Sequence, residues 1–387
     1  MQKVKAIVIA DDHYNALGMV RSLGIARIDV TLILFTQGDS FVDSSKYVTK
    51  CIKISHSSDE LIKHVNRIIE SYSDSLIALF PLNDFSSQVL DQNISLFPSR
   101  VLCPNANGNI LKLSDKYYIK EIVSKCGFTV PNGELIDFRN MTEIKWTQYP
   151  AIIKPVVSIE GSKRDITIVN NVTELNYVIK EYIQLGYKHA LIEEYITGPD
   201  SHMVEVMGAR NNDSSIDYAG IIRKIREYPI KNGSTSYAKI VDQHVGIDFA
   251  VISKFLDDIN YVGIFDIEYK YANGKAYFIE CNFRNGAPGF IFTLNGHNIP
   301  ELWIKKNFGL NFKIKSHKLN NINFMVEQND LINMLKGEPI FSVWIKQYIS
   351  ACKIFSFRGD SKPVRKYYLN FIIDQLKGRL KKYSNKN

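Results

Sequence analysis

The sequence predicts a mixed α/β and α+β fold, in which a doubly wound N-terminal domain precedes a domain with antiparallel strands. The first observation is the continuous apolar run Val4–Ala10, which is typical of a strand buried in a parallel sheet. A polar turn, a short helix that ends at Gly24 and a second strand over residues 30–35 follow. This β-α-β order predicts a doubly wound domain. The second observation is the pair of β-rich runs that flank Asn273-Gly274, because such a pair predicts a hairpin.

The polar turn after the first strand permits two interpretations. The N-terminus of the next helix is suited to hold an anion or a carboxylate, because its free N–H groups point outward. Alternatively, Asp11 or Asp12 caps this helix. Farther along the chain we expect a helix over residues 60–71, a strand over 76–81 and a helix cap at Asn83-Asp84.

Composition and charge exclude several classes of protein. A chain of 387 residues, 45% hydrophobic and 23% charged, is typical of a globular protein with two or three domains. Its five scattered cysteines form no CxxC pair, which argues against a zinc site or a disulfide framework and favours the cytoplasm. The net charge of +8 equals the excess of ten basic over two acidic residues in 351–387. The rest of the chain is therefore neutral, and we expect no nucleic-acid partner.

The loop length of the predicted hairpin decides which side chains share a face, because a shift of one residue turns a strand over. A two-residue loop would pair Glu268 with Ile279 and leave Glu280 on the opposite face. We predict instead a three-residue loop over 272–274, with Gly274 in the left-handed region. The apolar face then consists of Phe265, Ile267, Tyr269, Tyr271, Tyr277, Ile279 and Cys281. The polar face consists of Asp266, Glu268, Glu280 and Asn282, with Arg284 two residues further on.

Acidic and amide oxygens on one face, beside an arginine, suit Mg²⁺, which prefers oxygen ligands and usually keeps waters and substrate phosphates in its shell. Arg284 is suited to neutralise phosphate charge. An amphipathic hairpin with a solvated polar face is the alternative. The polar run over 280–286 favours the metal site, because it ends the second strand without an ordinary turn.

Two lysines lie at the ends of predicted elements. Lys116 begins a helix that runs to about Cys126, a placement that the helix dipole disfavours. Lys154 ends a strand over 149–155, and a loop with Gly161 and Ser162 leads from it into a strand over 165–169. A solvated lysine and a plain β-hairpin are the respective alternatives.

Two later strands carry charge. The apolar strand over 190–194 ends in Glu193 and Glu194 before a Gly-Pro turn, and a solvated acidic turn is the alternative. In the strand over 219–229, regular geometry puts Lys224 and Arg226 on one face and Arg223 on the other. Cations beside a Gly-Ser loop suit a phosphoryl group or a carboxylate, whereas a charged edge strand that opposes aggregation is the alternative.

Together these motifs resemble the ATP-grasp superfamily over roughly residues 1 to 310, in the order Asp115-Lys116, Lys154-Pro155, Glu193-Glu194, Glu268 and Glu280-x-Asn282-x-Arg284. The resemblance implies a pre-ATP-grasp domain over 1–108 and a two-lobed ATP-grasp domain over 109–310. Its first lobe, 109–195, includes a mobile lid, and its second lobe, 196–310, is catalytic. Residues 311–387 form a basic C-terminal extension.

The resemblance also implies roles for individual residues. The adenine hinge would be the main chain of 194–196, with Glu193 beside it and Asp200 on the ribose hydroxyls. ATP contacts are expected from Lys116, Lys154, Gly161, Ser162, Glu193, Glu194, Tyr195, Ile196 and Asp200. Metal ligands are expected to be Glu268, Glu280 and Asn282, and catalytic cations to be Arg284, Lys224 and Arg226. The chain departs from the family at Phe283, where Pro is frequent, and at Asp200, where Glu is more frequent.

Within the superfamily the chain looks most like the carboxylate–amine ligases, which include D-aspartate ligases and ligases of cell-envelope and capsule pathways, and it also resembles carbamoyl-phosphate-synthase-like proteins. The implied reaction activates a carboxylate with the γ-phosphoryl group of ATP to an acyl phosphate, which an amine converts to an amide. The implied cofactors are ATP and Mg²⁺, with Mn²⁺ as an alternative ion. The implied partners are a small-molecule carboxylate and a small-molecule amine, and the oligomeric state stays open.

Two functions from other classes remain as alternatives. The protein would then be a non-catalytic nucleotide-binding regulatory module, or an adaptor that acts through its basic C-terminal tail. In that tail a set of residues falls at helical spacing among basic residues, namely Phe371, Ile372, Gln375, Leu376 and Leu380. Peripheral contact with an anionic membrane is one interpretation, and a solvated helix end is the other.

Overall fold

The computed structural model describes residues 3–139, 146–156, 166–230, 233–244, 246–311 and 321–384, with side chains up to residue 373. Three sheets organise the described chain: a parallel sheet of five strands, a sheet of four strands and a sheet of seven strands. The mixed α/β and α+β prediction is confirmed. Among the described residues, no helix combines the length and the apolar character needed to cross a membrane.

The five-stranded sheet has the order β3-β2-β1-β4-β5, and all of its strand pairs are parallel. Its strands are β1 (Val4–Ala10), β2 (Asp29–Phe35), β3 (Val48–Ile54), β4 (Leu76–Pro81) and β5 (Val101–Leu102). The helices α1 (Tyr14–Ile25), α2 (Ser58–Ser71) and α3 (Asp84–Gln92) connect them. Alternate residues of β1 enter two separate cores, since Val8 packs with α1 whereas Ile7 and Ile9 pack with α2. Both faces of the sheet are therefore covered, as the doubly wound prediction requires.

Of the helix caps expected in this domain, the one at α3 is observed and the one at α1 is not. The alternative in which Asp11 or Asp12 caps α1 is wrong, because His13 Nδ1 accepts the N–H of Asn15 (3.3 Å). Asp12 instead accepts hydrogen bonds from residues 40–42 of the next loop, so its carboxylate orders that loop. The predicted cap of α3 is confirmed, since Asn83 Oδ1 accepts the N–H of Ser86 at 2.8 Å.

The four-stranded sheet has the order β6-β9-β7-β8. Its strands are β6 (Gly133–Asp137), β7 (Ala151–Lys154), β8 (Thr167–Val169) and β9 (His189–Glu194). The helices α4 (Ile110–Leu113) and α5 (Lys116–Cys126) precede this sheet, and α6 (Val172–Gln184) packs on it through Leu175, Val178 and Ile179. Lys154 and Glu194 thus lie at the ends of neighbouring strands of one small sheet.

The seven-stranded sheet has the order β14-β13-β10-β11-β12-β15-β16. Its strands are β10 (Met203–Arg210), β11 (Ile216–Tyr228), β12 (Ser234–Val241), β13 (Gly263–Ala272), β14 (Lys275–Asn282), β15 (Asn323–Met325) and β16 (Cys352–Lys353). Its pairs are antiparallel except for β15 with β16. The helices α7 (Phe249–Asp258), α8 (Phe290–Leu294) and α9 (Ile299–Asn307) belong to the same part of the chain. The central strands β10, β11 and β13 provide the wall of the site described below.

The chain beyond residue 311, which the family resemblance does not cover, is joined to the rest of the protein. It adds β15 and β16 to the seven-stranded sheet and contains α10 (Glu327–Leu335), α11 (Phe341–Ser350) and α12 (Lys362–Ser384). Arg21 of α1 and Asp360 form a fully buried ion pair at 3.1 Å. The segment before α12 is therefore fixed to the N-terminal domain, and the boundaries of the three predicted domains stay predictions.

Candidate active site

The hairpin of β13 and β14 pairs the predicted acids, but its loop differs from the prediction. Ala272 pairs with Lys275, so the loop is the two-residue turn Asn273-Gly274, and both of its residues have positive φ (51° and 76°). Such angles are those of a type I′ turn. The register then shifts between Glu268 and Tyr269, where Ile279 is the extra residue of a β-bulge. The predicted three-residue loop is therefore wrong, although Glu268 does lie opposite Glu280.

Because of the bulge, the apolar face of β14 consists of other residues than predicted. Ala276 and Phe278 are buried in the core beneath β13, where Tyr277 and Ile279 were expected. Ile279 lines the cavity described next. Beyond the bulge the predicted polar face is kept, but the register differs, since the predicted loop would pair Asp266 with Glu280 and the structure pairs Asp266 with Asn282.

A large cavity, with a volume of about 1310 Å³, lies where the three sheets meet. It receives the predicted site residues of the described chain, namely Lys116, Lys154, Glu193, Glu194, Tyr195, Ile196, Asp200, Lys224, Arg226, Glu268, Glu280, Asn282 and Arg284. Gly161 and Ser162 lie outside the described residues. The N-terminal domain contributes a further wall, including Asp11, His13, Asn83 and Asp84.

One wall of the cavity carries a cluster of lysines around a buried acid. Glu193, only 1% exposed, contacts Lys154 Nζ at 2.5 Å and is also ion-paired with Lys120 of α5. Burial, and then the neighbouring Lys116, lowers the pKa of Lys154 to about 8. Burial, and then Lys154 and Lys116, lowers the pKa of Lys120 to about 5. This wall therefore has an excess of basic groups over acids, which suits a polyanion.

Lys120 was absent from the sequence-based prediction. The available signal was its position four residues after Lys116, which puts the two lysines on one face of α5. The structure also gives Glu193 a role that the sequence did not indicate, because its carboxylate holds two lysines in position.

In the segment that follows β9, two main-chain N–H groups form hydrogen bonds within the protein. Glu194 N–H donates to Asn132 O (2.9 Å), and Tyr195 N–H donates to Pro150 O (3.0 Å). Asp200, also in the cavity, accepts the N–H of Glu227 at 3.1 Å. These bonds fix the hinge between the four-stranded and seven-stranded sheets.

Another part of the cavity wall gathers carboxylates around Lys224. Its Nζ lies 3.1 Å from Glu205, 3.2 Å from Glu227 and 3.0 Å from Glu268, and the residue is only 2% exposed. Burial alone would lower the pKa of Lys224, but these acids, Glu268 foremost, raise it well above its usual value. Thr235 donates a hydrogen bond to the same Glu205 oxygen (2.9 Å). Lys224 is thus the counter-ion of an acidic cluster, and Glu205 and Glu227 are members that the sequence did not reveal.

The regular strand on which the prediction for Lys224 and Arg226 depends is not found. The pairing of β11 with β12 shifts on both sides of Arg226, so the strand is irregular there. Arg226 forms a two-bond ion pair with the fully buried Asp330 of α10 (2.7 and 3.0 Å) and stacks over Tyr237 at 4.6 Å. Although Arg226 lines the cavity, its guanidinium also ties α10 to the sheet.

The acidic wall continues to Asp266 and Arg284. Asp266 is 3% exposed, and burial, and then Glu205 and Glu268, raises its pKa well above the usual value. Arg284 donates to Asp84 (2.8 Å) and to Asn282 Oδ1 (3.0 Å), which joins β14 to the N-terminal domain. Among the described residues, no donor lies within hydrogen-bonding distance of Asp266 Oδ1 or Glu205 Oε2.

The donor set of this wall fits a hard dication. Glu268, Glu280 and Asn282 present carboxylate and amide oxygens, and the two buried oxygens without donors lie in the same wall. Among the residues that the structure describes, no three His, Cys, Asp or Glu side chains form a complete metal site by themselves. An ion here would need Asn282 and oxygens from a ligand, as is usual for Mg²⁺.

The chain is similar in sequence to known ligases. No protein-family model matches the chain. It is 22% identical to D-aspartate ligase of Enterococcus faecium over 247 residues, which are 59% of each protein. The alignment therefore spans less than two thirds of that relative.

Solved structures show that the fold is shared. N5-carboxyaminoimidazole synthetase of Staphylococcus aureus, complexed with ADP, superposes with a TM-score of 0.64 at 15% identity, over 87% of each chain. The biotin carboxylase domain of Hydrogenobacter thermophilus 2-oxoglutarate carboxylase, in complex with MgADP and bicarbonate, gives 0.64 at 16% identity, over 84% of this chain and 74% of that one. The chain therefore shares the fold of these two proteins, and its sequence is similar to that of a D-aspartate ligase.

Proposed function

We propose that the protein is an ATP-dependent carboxylate–amine ligase that forms an amide through an acyl phosphate. The observation that carries the proposal is the pairing of Glu268 with Glu280 in a cavity that Lys116 and Lys154 also line. Candidate metal ligands and candidate phosphate-binding cations thereby line one cavity. Transfer of a phosphoryl group requires this kind of positioning and charge neutralisation.

The likenesses support the proposal. D-aspartate ligase is a ligase by its name, and two proteins of the same fold were solved with ADP or MgADP. We extend the proposal to ATP and Mg²⁺, with Mn²⁺ as an alternative, and to a small-molecule carboxylate and amine. The resemblance to cell-envelope ligases extends it further to amide bonds in envelope or capsule glycans.

In the proposed reaction, a substrate carboxylate oxygen attacks the γ-phosphorus of ATP, the bond to the β–γ bridging oxygen breaks, and ADP leaves. The amine then attacks the acyl carbon, loses a proton and releases inorganic phosphate. Lys116 and Lys154 would bind the nucleotide phosphates, and Arg284, fixed by Asp84, would neutralise the transferred group. Mg²⁺ held by Glu268, Glu280 and Asn282 would supply further neutralisation of phosphate charge.

The N-terminal domain forms part of the cavity and indicates where the second substrate would bind. Its Asp84 binds Arg284, and Asp11 and His13 line the same cavity, so the second substrate is expected between this domain and the hairpin. This placement would hold the acceptor amine close to the activated carboxylate and limit attack by water.

The test is ADP release with Mg-ATP and a panel of amino acids and amino sugars, each carboxylate with and without an amine acceptor. We expect turnover that needs both substrates and that Glu280→Gln abolishes while nucleotide still binds. Glu70→Gln, at an exposed position of α2, is the matched control. Turnover that survives Glu280→Gln would contradict the proposal. Tight nucleotide binding without turnover on any pair would favour the regulatory module.

A further inference from the structure

The final helix, α12, is attached to the protein only through its first half in the described contacts. Val364, Tyr367 and Tyr368 pack against the main core. Lys366 pairs with Asp39 at 2.6 Å and with Asp43 at 3.2 Å, and the Asn370 amide donates to Asp39 at 3.0 Å. The helix continues to Ser384, so a segment about 20 Å long follows these anchors.

Exposed apolar side chains begin where the anchors end. Leu369, Ile372 and Ile373 are 58%, 55% and 37% exposed, and their i, i+3, i+4 spacing puts them on one face of α12. Leu376 and Leu380 occupy the next positions of this spacing in the sequence. Together these five positions define an apolar stripe, which we call the α12 stripe.

Positive charge accompanies the α12 stripe. Residues 371–387 contain one acid, Asp374, and five basic residues, Lys377, Arg379, Lys381, Lys382 and Lys386. In the sequence, Lys377 directly follows Leu376, and Arg379 directly precedes Leu380. A helix with an apolar face bordered by cations is suited to the boundary between lipid headgroups and acyl chains.

We propose that the C-terminal half of α12 binds the surface of an anionic lipid bilayer, with the α12 stripe toward the acyl chains. This inference goes beyond the proposed ligase function and does not depend on it. A nucleic-acid partner would use the cations but leave the leucines and isoleucines in water. A second copy of the chain would cover the stripe but bring like-charged borders together, which is unfavourable. Anionic lipid satisfies both the apolar face and the positive charge.

The test is co-sedimentation of the full-length protein with vesicles of phosphatidylcholine alone or mixed with phosphatidylglycerol. We expect binding to the mixed vesicles that weakens as salt rises from about 0.1 M to about 0.5 M, because the attraction is screened. Ile372→Glu should weaken this binding by about tenfold, since it removes apolar contact and adds repulsion. Phe371→Ser is the matched control, because Phe371 is exposed (41%) and lies 200° around the helix from Leu369.

Several outcomes would overturn the proposal. Equal binding to both vesicle types, no binding to either, or an equal loss in the two variants would each contradict it. Sedimentation velocity that shows a dimer abolished by Ile372→Glu, without vesicle binding, would assign the stripe to a second copy. Retention on nucleic acid without vesicle binding would assign the charge to that class of partner. None of these readouts requires ligase turnover, so failure of the proposed reaction would be distinguishable.

Discussion

Nucleotide affinity should fall as pH rises through the pKa of Lys154. This pKa is lowered to about 8 by burial and by Lys116, and only the protonated amine attracts phosphate. A bound phosphate favours the charged form and raises the pKa again, so binding requires a protonated Lys154. Between about pH 7 and about pH 9 the protonated fraction falls about tenfold, which corresponds to about 1.4 kcal/mol of binding free energy.

The assay is isothermal titration calorimetry of MgADP at several pH values in the range where the nucleotide phosphates are already ionised. Lys154→Arg is the matched variant, because an arginine keeps its charge throughout this range. We expect the wild-type dissociation constant to rise about tenfold and that of Lys154→Arg to change less than about twofold. A flat wild-type profile, or an equal slope in both proteins, would refute the reasoning.

Three further predictions concern buried contacts. Arg21→Met should lower the free energy of unfolding in urea by about 3–5 kcal/mol, since it leaves Asp360 buried without its cation, and adding Asp360→Asn should recover part of the loss. Gly286→Ala should lower kcat/KM for ADP release and lower the free energy of unfolding by about 1–3 kcal/mol, because the added Cβ would lie 2.7 Å from Asp266 Oδ2. Unchanged activity would contradict this close approach. Lys224→Met should lower the melting temperature at neutral pH, because three acids lose their counter-ion. Added Mg²⁺ should restore the melting temperature in part, since the dication replaces the missing charge. An unaltered melting temperature would contradict the counter-ion role.

The hairpin shows how far local sequence reasoning reaches. The strands and the grouping of Glu268 with Glu280 followed from the alternation of polar and apolar residues. The loop did not, because Asn273-Gly274 satisfies a two-residue turn and Ile279 is absorbed in a bulge several residues away. The shorter loop and the bulge each shift the register by one residue, so together they keep the acids on one face, and a periodic pattern does not reveal where the extra residue lies.

Long-range partners account for the other differences. Arg226 is held by Asp330, 104 residues later in the chain, and no local pattern connects them. Glu205 joins the acidic cluster because β10 lies between β11 and β13, which depends on sheet order. Lys120 is different, since its spacing from Lys116 was visible in the sequence, but only the fold shows that Glu193 lies between it and Lys154.

The ammonium of Lys224 has a consequence for the order in which ligands arrive. Because it already neutralises part of the charge on Glu205, Glu227 and Glu268, a free dication gains less by entering the empty cavity than it would in an unneutralised cluster. A dication that arrives with a nucleotide brings its own phosphate oxygens, and the nucleotide phosphates meet Lys116 and Lys154 in the same cavity. The protein should therefore bind bare Mg²⁺ weakly and the metal–nucleotide complex as one unit, so that nucleotide supply, rather than the concentration of free metal, controls occupancy of the site.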